Sequence, residues 1–161
     1  MSSSDRRRRE VKKASAMLGV TVEFGPFEDT NVPSGKEAVK LIDESVRLFS
    51  VDRIYTHTPR DAHQDHRNTA LASLSAGRRV PQILFYESAP PKSWCFTPNF
   101  YVDISNYLAK KLEVVKVFQS QAEKWYMQPN VLEAMATFRG VEIARKACEA
   151  FEVYKYLEEM V

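Results

Sequence analysis

The segment that most narrows the possible folds is Gln82-Ile83-Leu84-Phe85-Tyr86, an apolar run with no solvent-facing side. A strand with one wet face alternates apolar and polar residues, whereas a two-sided apolar run suits a strand covered on both faces, as in parallel sheets layered between helices. The neighbouring patterns supply the covering helices. Val11, Ala14, Met17 and Leu18 recur at helical spacing from about Asp5, and Gly19 stands where a left-handed C-terminal cap belongs. Thr21-Val22-Glu23-Phe24 alternates and runs into Gly25-Pro26, which predicts a short strand. Ser34 and Glu37 form a capping-box pair ahead of Ala38, Ile42, Val46 and Phe49 on one helical face. Residues 52–57 read as a strand, 66–76 as a helix ending at Gly77, and 100–102 as a weaker strand. Tyr107, Leu108, Lys111, Leu112, Val115 and Phe118 predict one long helix from about Ile104, and Pro129 opens another that carries Met135, Phe138 and Ala147 towards Phe151. Strands and helices in alternation predict an α/β fold with a largely parallel sheet, whose ligands sit outside the carboxyl ends of the strands.

The chain has 161 residues, the size of one domain, so a single domain over 1–161 is expected. With 44% hydrophobic and 27% charged residues it is neither collagen, coiled coil nor disordered chain. No apolar run approaches the roughly 20 residues of a membrane helix, so no membrane span is expected. Residues 1–13 are polar and basic with no apolar stretch after them, which argues against a secretory signal and for a cytoplasmic location. Cys95 and Cys148 lie far apart without CxxC spacing, so both should be reduced, with Cys148 filling core. Residues 1–20 hold six basic side chains against two acidic ones, while the net charge of the whole chain is only +2. The run Arg6 to Arg9 has no interleaved aromatics and reads as a solvated helix face, so no nucleic-acid partner is expected.

All three histidines fall in or beside the segment that follows the strand at 52–57. His63 and His66 are three apart with Asp65 between them, so a helical turn places both imidazoles on one face, where a carboxylate can fix a tautomer. That arrangement serves a metal or a proton transfer. The other reading of the same spacing makes Asp61 or Asp65 a helix N-cap and leaves the histidines merely exposed. His57 reads as a polar residue at a strand end. Two histidines are too few for a zinc site, which takes four ligands when closed and about three plus water when catalytic. GxGxxG, GxxxxGK[ST] and GxSxG are absent, so dinucleotide, P-loop and serine-hydrolase readings lack their fingerprints. Trp94, Trp125 and Tyr126 read as packing or rim residues.

The segment Thr56-His57-Thr58-Pro59-Arg60-Asp61-Ala62-His63-Gln64-Asp65-His66 resembles the second signature of the LmbE-like, or PIG-L, de-N-acetylases. Arg7 with Glu10 and then Leu18-Gly19-Val20 resemble the family's R-x-x-E and LGV helix. Val102-Asp103 through Lys111 to Ser120-Gln121 resemble its D-x-S-x-x-x-x-K…SQ region, and Arg139-Gly140 with Glu149-Ala150-Phe151 resemble its ending. The resemblance covers nearly the whole chain in order. It implies a three-layer, Rossmann-like sheet flanked by helices and a zinc-dependent hydrolase acting on an N-acetylglucosamine-type sugar, glycoconjugate or related amide. Carried over residue by residue, His66 is the metal ligand, His63 stabilises or protonates the tetrahedral intermediate, Asp65 is the orienting carboxylate, and Arg7 and Asp29 contact substrate. The family's first signature, A-H-P-D-D-x-E, has no counterpart here, so the expectation is an N-terminally incomplete domain lacking the first strand and helix, with an incomplete zinc site and no turnover. An exposed sheet edge and a homo-oligomer are expected to follow. The alternative is a non-catalytic binding or structural module of the same fold. The loop at 90–99 is expected to shape the substrate pocket.

Overall fold

The apolar run at 82–86 forms a strand whose Ile83 and Leu84 are 0% exposed. The structure, a computed structural model, describes residues 3–88 and 95–158. In chain order its elements are α1 (Ser3–Leu18), α2 (Lys36–Leu48), β1 (Arg53–Thr56), α3 (Gln64–Ala76), β2 (Gln82–Tyr86), β3 (Phe100–Asp103), α4 (Leu108–Val115), α5 (Pro129–Val141) and β4 (Cys148–Tyr156), with short 3-10 turns between some of them. The strands form one sheet in the order β1-β2-β4-β3. β1 pairs with β2 in parallel, Arg53 opposite Gln82 through Thr56 opposite Phe85, and β2 pairs with β4 antiparallel. The fold is α/β as expected, but the sheet is mixed rather than mostly parallel. Chain contacts divide the molecule into two compact units, Gly25–Phe100 with Ala150–Val161, and Met1–Phe24 with Tyr101–Glu149.

In the first unit, β1, α3 and β2 make a parallel strand–helix–strand motif, the connection that parallel pairing requires. Small residues set the fit. Ala70, Ala72, Ser73 and Ala76 of α3 are all buried, and the Thr56 hydroxyl donates to the Ser73 hydroxyl at 3.1 Å, tying the end of β1 to the helix. α3 ends at Gly77, where a Cβ would stand 2.7 Å from Ile54 Cδ1 and 2.9 Å from Ile83 Cδ1. The glycine lets the ends of those two side chains approach closely, and its backbone angles are ordinary. α2 begins one residue later than the capping-box pattern implies: Gly35 is the N-cap, and no side chain bonds the free amides.

In the second unit, α1 ends at Gly19 with φ of +67°, as the left-handed cap predicts, and the Val20 amide donates to the Ser15 carbonyl at 3.0 Å. The buried Glu10 carboxylate accepts from the Ser120 amide at 2.9 Å, the Ser120 hydroxyl at 2.5 Å and the Arg6 guanidinium at 3.3 Å. These bonds couple α1 to the 119–121 turn and account for the Glu10 and Ser-Gln motifs structurally. Residues 21–24 are not a strand. They find no ladder partner among the described residues, and Phe24 packs instead under the Arg8 guanidinium, 4.7 Å from its ring centre. The helix expected from Ile104 is confined to Leu108–Val115. The helical expectation for 129–151 fails beyond Val141, because the Gly140 carbonyl accepts from the Ile143 and Arg145 amides and Ala144 adopts φ of +55°. The chain turns there, and Cys148–Tyr156 becomes a strand with Cys148 buried.

Gly140 makes that turn possible. A Cβ on it would lie 2.5 Å from the Arg145 carbonyl oxygen and 3.0 Å from the Ala147 amide, both backbone atoms. Gly140→Ala is therefore expected to cost about 1–3 kcal/mol, the usual range for overpacking. A urea midpoint equal to that of the parent chain would contradict this packing.

Candidate functional site

The turn between β1 and α3, residues 57–63, lies at the carboxyl end of a parallel strand and gathers the three histidines within one unit. The His57 and His66 rings stack at 3.8 Å with an 8° tilt, and the His63 and His66 rings at 4.7 Å with a 27° tilt. His57 is thus more than a strand-end residue. Its Nε2 and the Tyr86 hydroxyl of β2 are hydrogen-bonded at 2.8 Å, while Nδ1 is buried and unpartnered among the described residues. Burial, reinforced by the adjacent His66, depresses the His57 pKa to about 4, so the ring is neutral at physiological pH. Burial likewise pushes the Tyr86 phenol up to about 12, with the Asp61 charge adding to the effect.

At the centre of the turn lies Asp61, only 1% exposed. One carboxylate oxygen accepts the His63 amide at 2.8 Å; the other faces His66 Nδ1 at 3.0 Å and accepts the Ser88 hydroxyl at 3.3 Å. Burial raises its pKa, but the His63 amide and the His66 ring outweigh that effect and hold it below the ordinary carboxylate value. The N-cap of α3 is neither aspartate but His63, whose Nδ1 accepts from the Asp65 amide at 3.2 Å. A ring that accepts at Nδ1 carries its proton, when neutral, on Nε2.

Asp65 has a different task from the one its spacing suggests. Its carboxylate accepts the Thr30 amide at 2.6 Å and the Val32 amide at 3.2 Å, and is 7% exposed. The Gln64 side chain donates to the Thr30 carbonyl and Asn68 donates to the Val32 carbonyl. The first turn of α3 thereby clamps the loop in which Thr30 adopts φ of +68°, and brings a carboxylate oxygen of Asp29 within 4.8 Å of His63 and Asp65 donor atoms. Asp65 orients His63 through its backbone and the Asp29 loop through its side chain. Arg7 lies exposed on α1 in the other unit. Trp94 and part of the 90–99 loop fall outside the described residues.

Residues 1–76 match the description "PIG-L: GlcNAc-PI de-N-acetylase". Over this segment, just under half of the chain, the sequence is similar to the PIG-L, or LmbE-like, family. An uncharacterised deacetylase of Escherichia coli, YaiS, is 39% identical over 70 residues, which is 42% of this chain and 37% of its own length. The 4-oxalmesaconate hydratase of Pseudomonas putida is 23% identical over 156 residues, 88% of this chain and 59% of its own. The diacetylchitobiose deacetylase of Thermococcus kodakarensis is 26% identical over 153 residues, 84% of this chain and 57% of its own. The chain therefore spans roughly 37–59% of the length of these curated relatives. Among solved structures, the conserved protein TT1542 of Thermus thermophilus superposes with a TM-score of 0.81 at 20% identity, over 99% of this chain and 77% of that one, which establishes the shared fold.

The PIG-L segment ends with α3, so Arg7, Asp29 and every histidine lie inside it. Its donors suit a divalent ion: His57, Asp61 and His66 each offer an atom within 4.8 Å of the others, and imidazole with carboxylate is a zinc-type set. Of the two rings, His66 fits better. An imidazole presents its lone pair in the ring plane, and rings lying parallel at 3.8 Å do not converge on one ion in that way. Asp61 and Tyr86 were not predicted as site residues; in the sequence Asp61 stands out only as a candidate cap and as one position of the family-like segment 56–66.

Replacing Asp65 with Ala removes the acceptor of two backbone amides. Amide exchange at Thr30 and Val32 is expected to speed up about tenfold or more, as loss of charge-assisted bonds implies, while exchange at Ile83 and Leu84 tracks only global stability. Unchanged protection at Thr30 and Val32 would show that the clamp does not hold the loop.

Proposed function

We propose that this chain carries the substrate-facing part of a metal-dependent de-N-acetylase, acting on an N-acetylglucosamine-type sugar or a related amide. The single observation that supports this reading most is the parallel gathering of His57, His63 and His66 at the end of β1, within the family-matched segment. The deacetylases among the relatives support the reaction class, and the diacetylchitobiose deacetylase supports an acetylated sugar. His66 would hold the ion, zinc being the best match to the donors. A divalent ion there supplies Lewis-acid polarisation of the amide carbonyl and lowers the pKa of water to roughly 7.

The remaining chemistry belongs to the chain. His63, with Nδ1 engaged by the Asp65 amide, presents an Nε2–H that donates to oxygen as the carbonyl becomes tetrahedral. Passing a proton to the leaving amine requires the imidazolium, which forms only by giving up the Asp65 amide bond. Asp29, on the loop held by the Asp65 clamp, would accept hydroxyl protons of the sugar beside His63.

One well-placed histidine does not complete a zinc site. The chain alone is expected to bind zinc weakly and not to turn over, and that shortfall favours, as the second reading, a sugar-binding module of the same fold. The hydratase among the relatives shows that the scaffold also serves water addition.

Zinc titration of chelator-stripped chain is expected to show binding that His66→Ala abolishes and His63→Ala preserves; equal affinity in all three would refute the ligand assignment. In a form that turns over, His63→Ala should lower kcat about a hundredfold on N,N′-diacetylchitobiose, measured as released amine. Sugar-induced shifts at Asp29 and His63 with no amine released at saturating zinc would establish the binding module instead.

A further inference from the structure

We propose that Asp61 is the positioning residue of the metal centre: it holds His66 by Nδ1 so that Nε2 is the nitrogen offered to the ion. This rests on the reading of His66 as ligand. The geometry is that of a carboxylate–histidine–metal relay, in which the second ring nitrogen is fixed by an acidic partner. Asp61 Oδ2 stands 3.0 Å from His66 Nδ1 and is steadied by the Ser88 hydroxyl, while Oδ1 is anchored by the His63 amide. The backbone of the turn is held as well, because the Arg67 guanidinium donates to the Asp61 carbonyl at 2.8 Å and to that of Ala62 at 2.6 Å. The stacked rings of His57 and His63 restrain the tilt of His66. The His66 ring is thus held at Nδ1 and stacked on two neighbouring rings, which leaves Nε2 as the nitrogen to offer.

Charge gives the second reason. Asp61 is 1% exposed, and among the described residues its one charge partner is His66 itself, since Arg67 spends its bonds on carbonyls. The carboxylate is met by the His63 amide, the His66 ring and the Ser88 hydroxyl, and a positive charge held across the imidazole would add to those contacts. An ion on the far nitrogen of His66 supplies that charge.

The test compares zinc binding, read by competition with a chromophoric chelator, in the parent chain, Asp61→Asn and His66→Ala, together with the imidazole nitrogen spectrum of the metal-free chains at about pH 8, above the ordinary histidine pKa. The expected result is a ten- to hundredfold loss of affinity in Asp61→Asn and complete loss in His66→Ala. The parent spectrum should place the His66 proton on Nδ1, and Asp61→Asn should mix the tautomers. Unchanged affinity in Asp61→Asn beside complete loss in His66→Ala overturns the positioning role and leaves the ligand reading standing; unchanged affinity in His66→Ala removes the ligand reading itself. Loss in Asp61→Asn as complete as in His66→Ala makes Asp61 a ligand and likewise overturns the proposal. Should Asp61→Asn fail to fold, the parent spectrum decides alone: a His66 proton on Nε2 overturns the inference.

Discussion

The buried carboxylate of Asp61 sets the conditions for everything around it. Placing a charge in the turn between β1 and α3 is unfavourable by several kcal/mol unless donors surround it. The turn supplies them from its own backbone at His63, from the His66 ring one helical turn on, and from Ser88 just beyond β2. Those three contacts fix where α3 starts and which way its first histidines face. The parallel pairing of β1 with β2 brings Ser88 and Tyr86 to the same end of the sheet, so sheet register and site geometry are one constraint.

Around that centre the two aspartates divide the work. Asp61 faces the histidines, and Asp65, four residues on, faces away to the loop at 30–32. Because the turn that carries Asp61 runs directly into α3, which carries Asp65 and His66, one continuous segment relates the Asp29 loop to the imidazoles. His57 contributes by staying neutral: its depressed pKa lets it stack on His66 without bringing its own positive charge to the site. The close fit of α3, with alanines and Gly77 against Ile54 and Ile83, leaves that element little room to shift.

Much of this was legible in the residues. The two-sided run at 82–86, the Gly19 cap and the helix ending at Gly77 are local signals, and the structure follows them. His63 and His66 stood out by spacing because one helical turn is also local. What was not legible depends on distant partners. The Asp65 carboxylate bonds amides 33 and 35 residues away, which no spacing rule reports. Asp61 reads as a cap until the turn folds back and makes His63 the cap instead. Residues 21–24 have strand chemistry but no ladder partner among those described, and 148–156 kept helical-looking neighbours until the close contact at Gly140 and the left-handed Ala144 turned the chain. The mixed sheet follows from that one reversal.

The account stands or falls on whether His66 is where an ion binds. X-ray absorption at the zinc edge, on the zinc-loaded chain and on His66→Ala, tests this most directly. The account predicts a first shell of nitrogen and oxygen at about 2.0–2.2 Å, with the outer-shell signature of imidazole, and loss of that signature in the variant. A sulfur shell at about 2.3 Å, or an imidazole signature that survives the removal of His66, would contradict it.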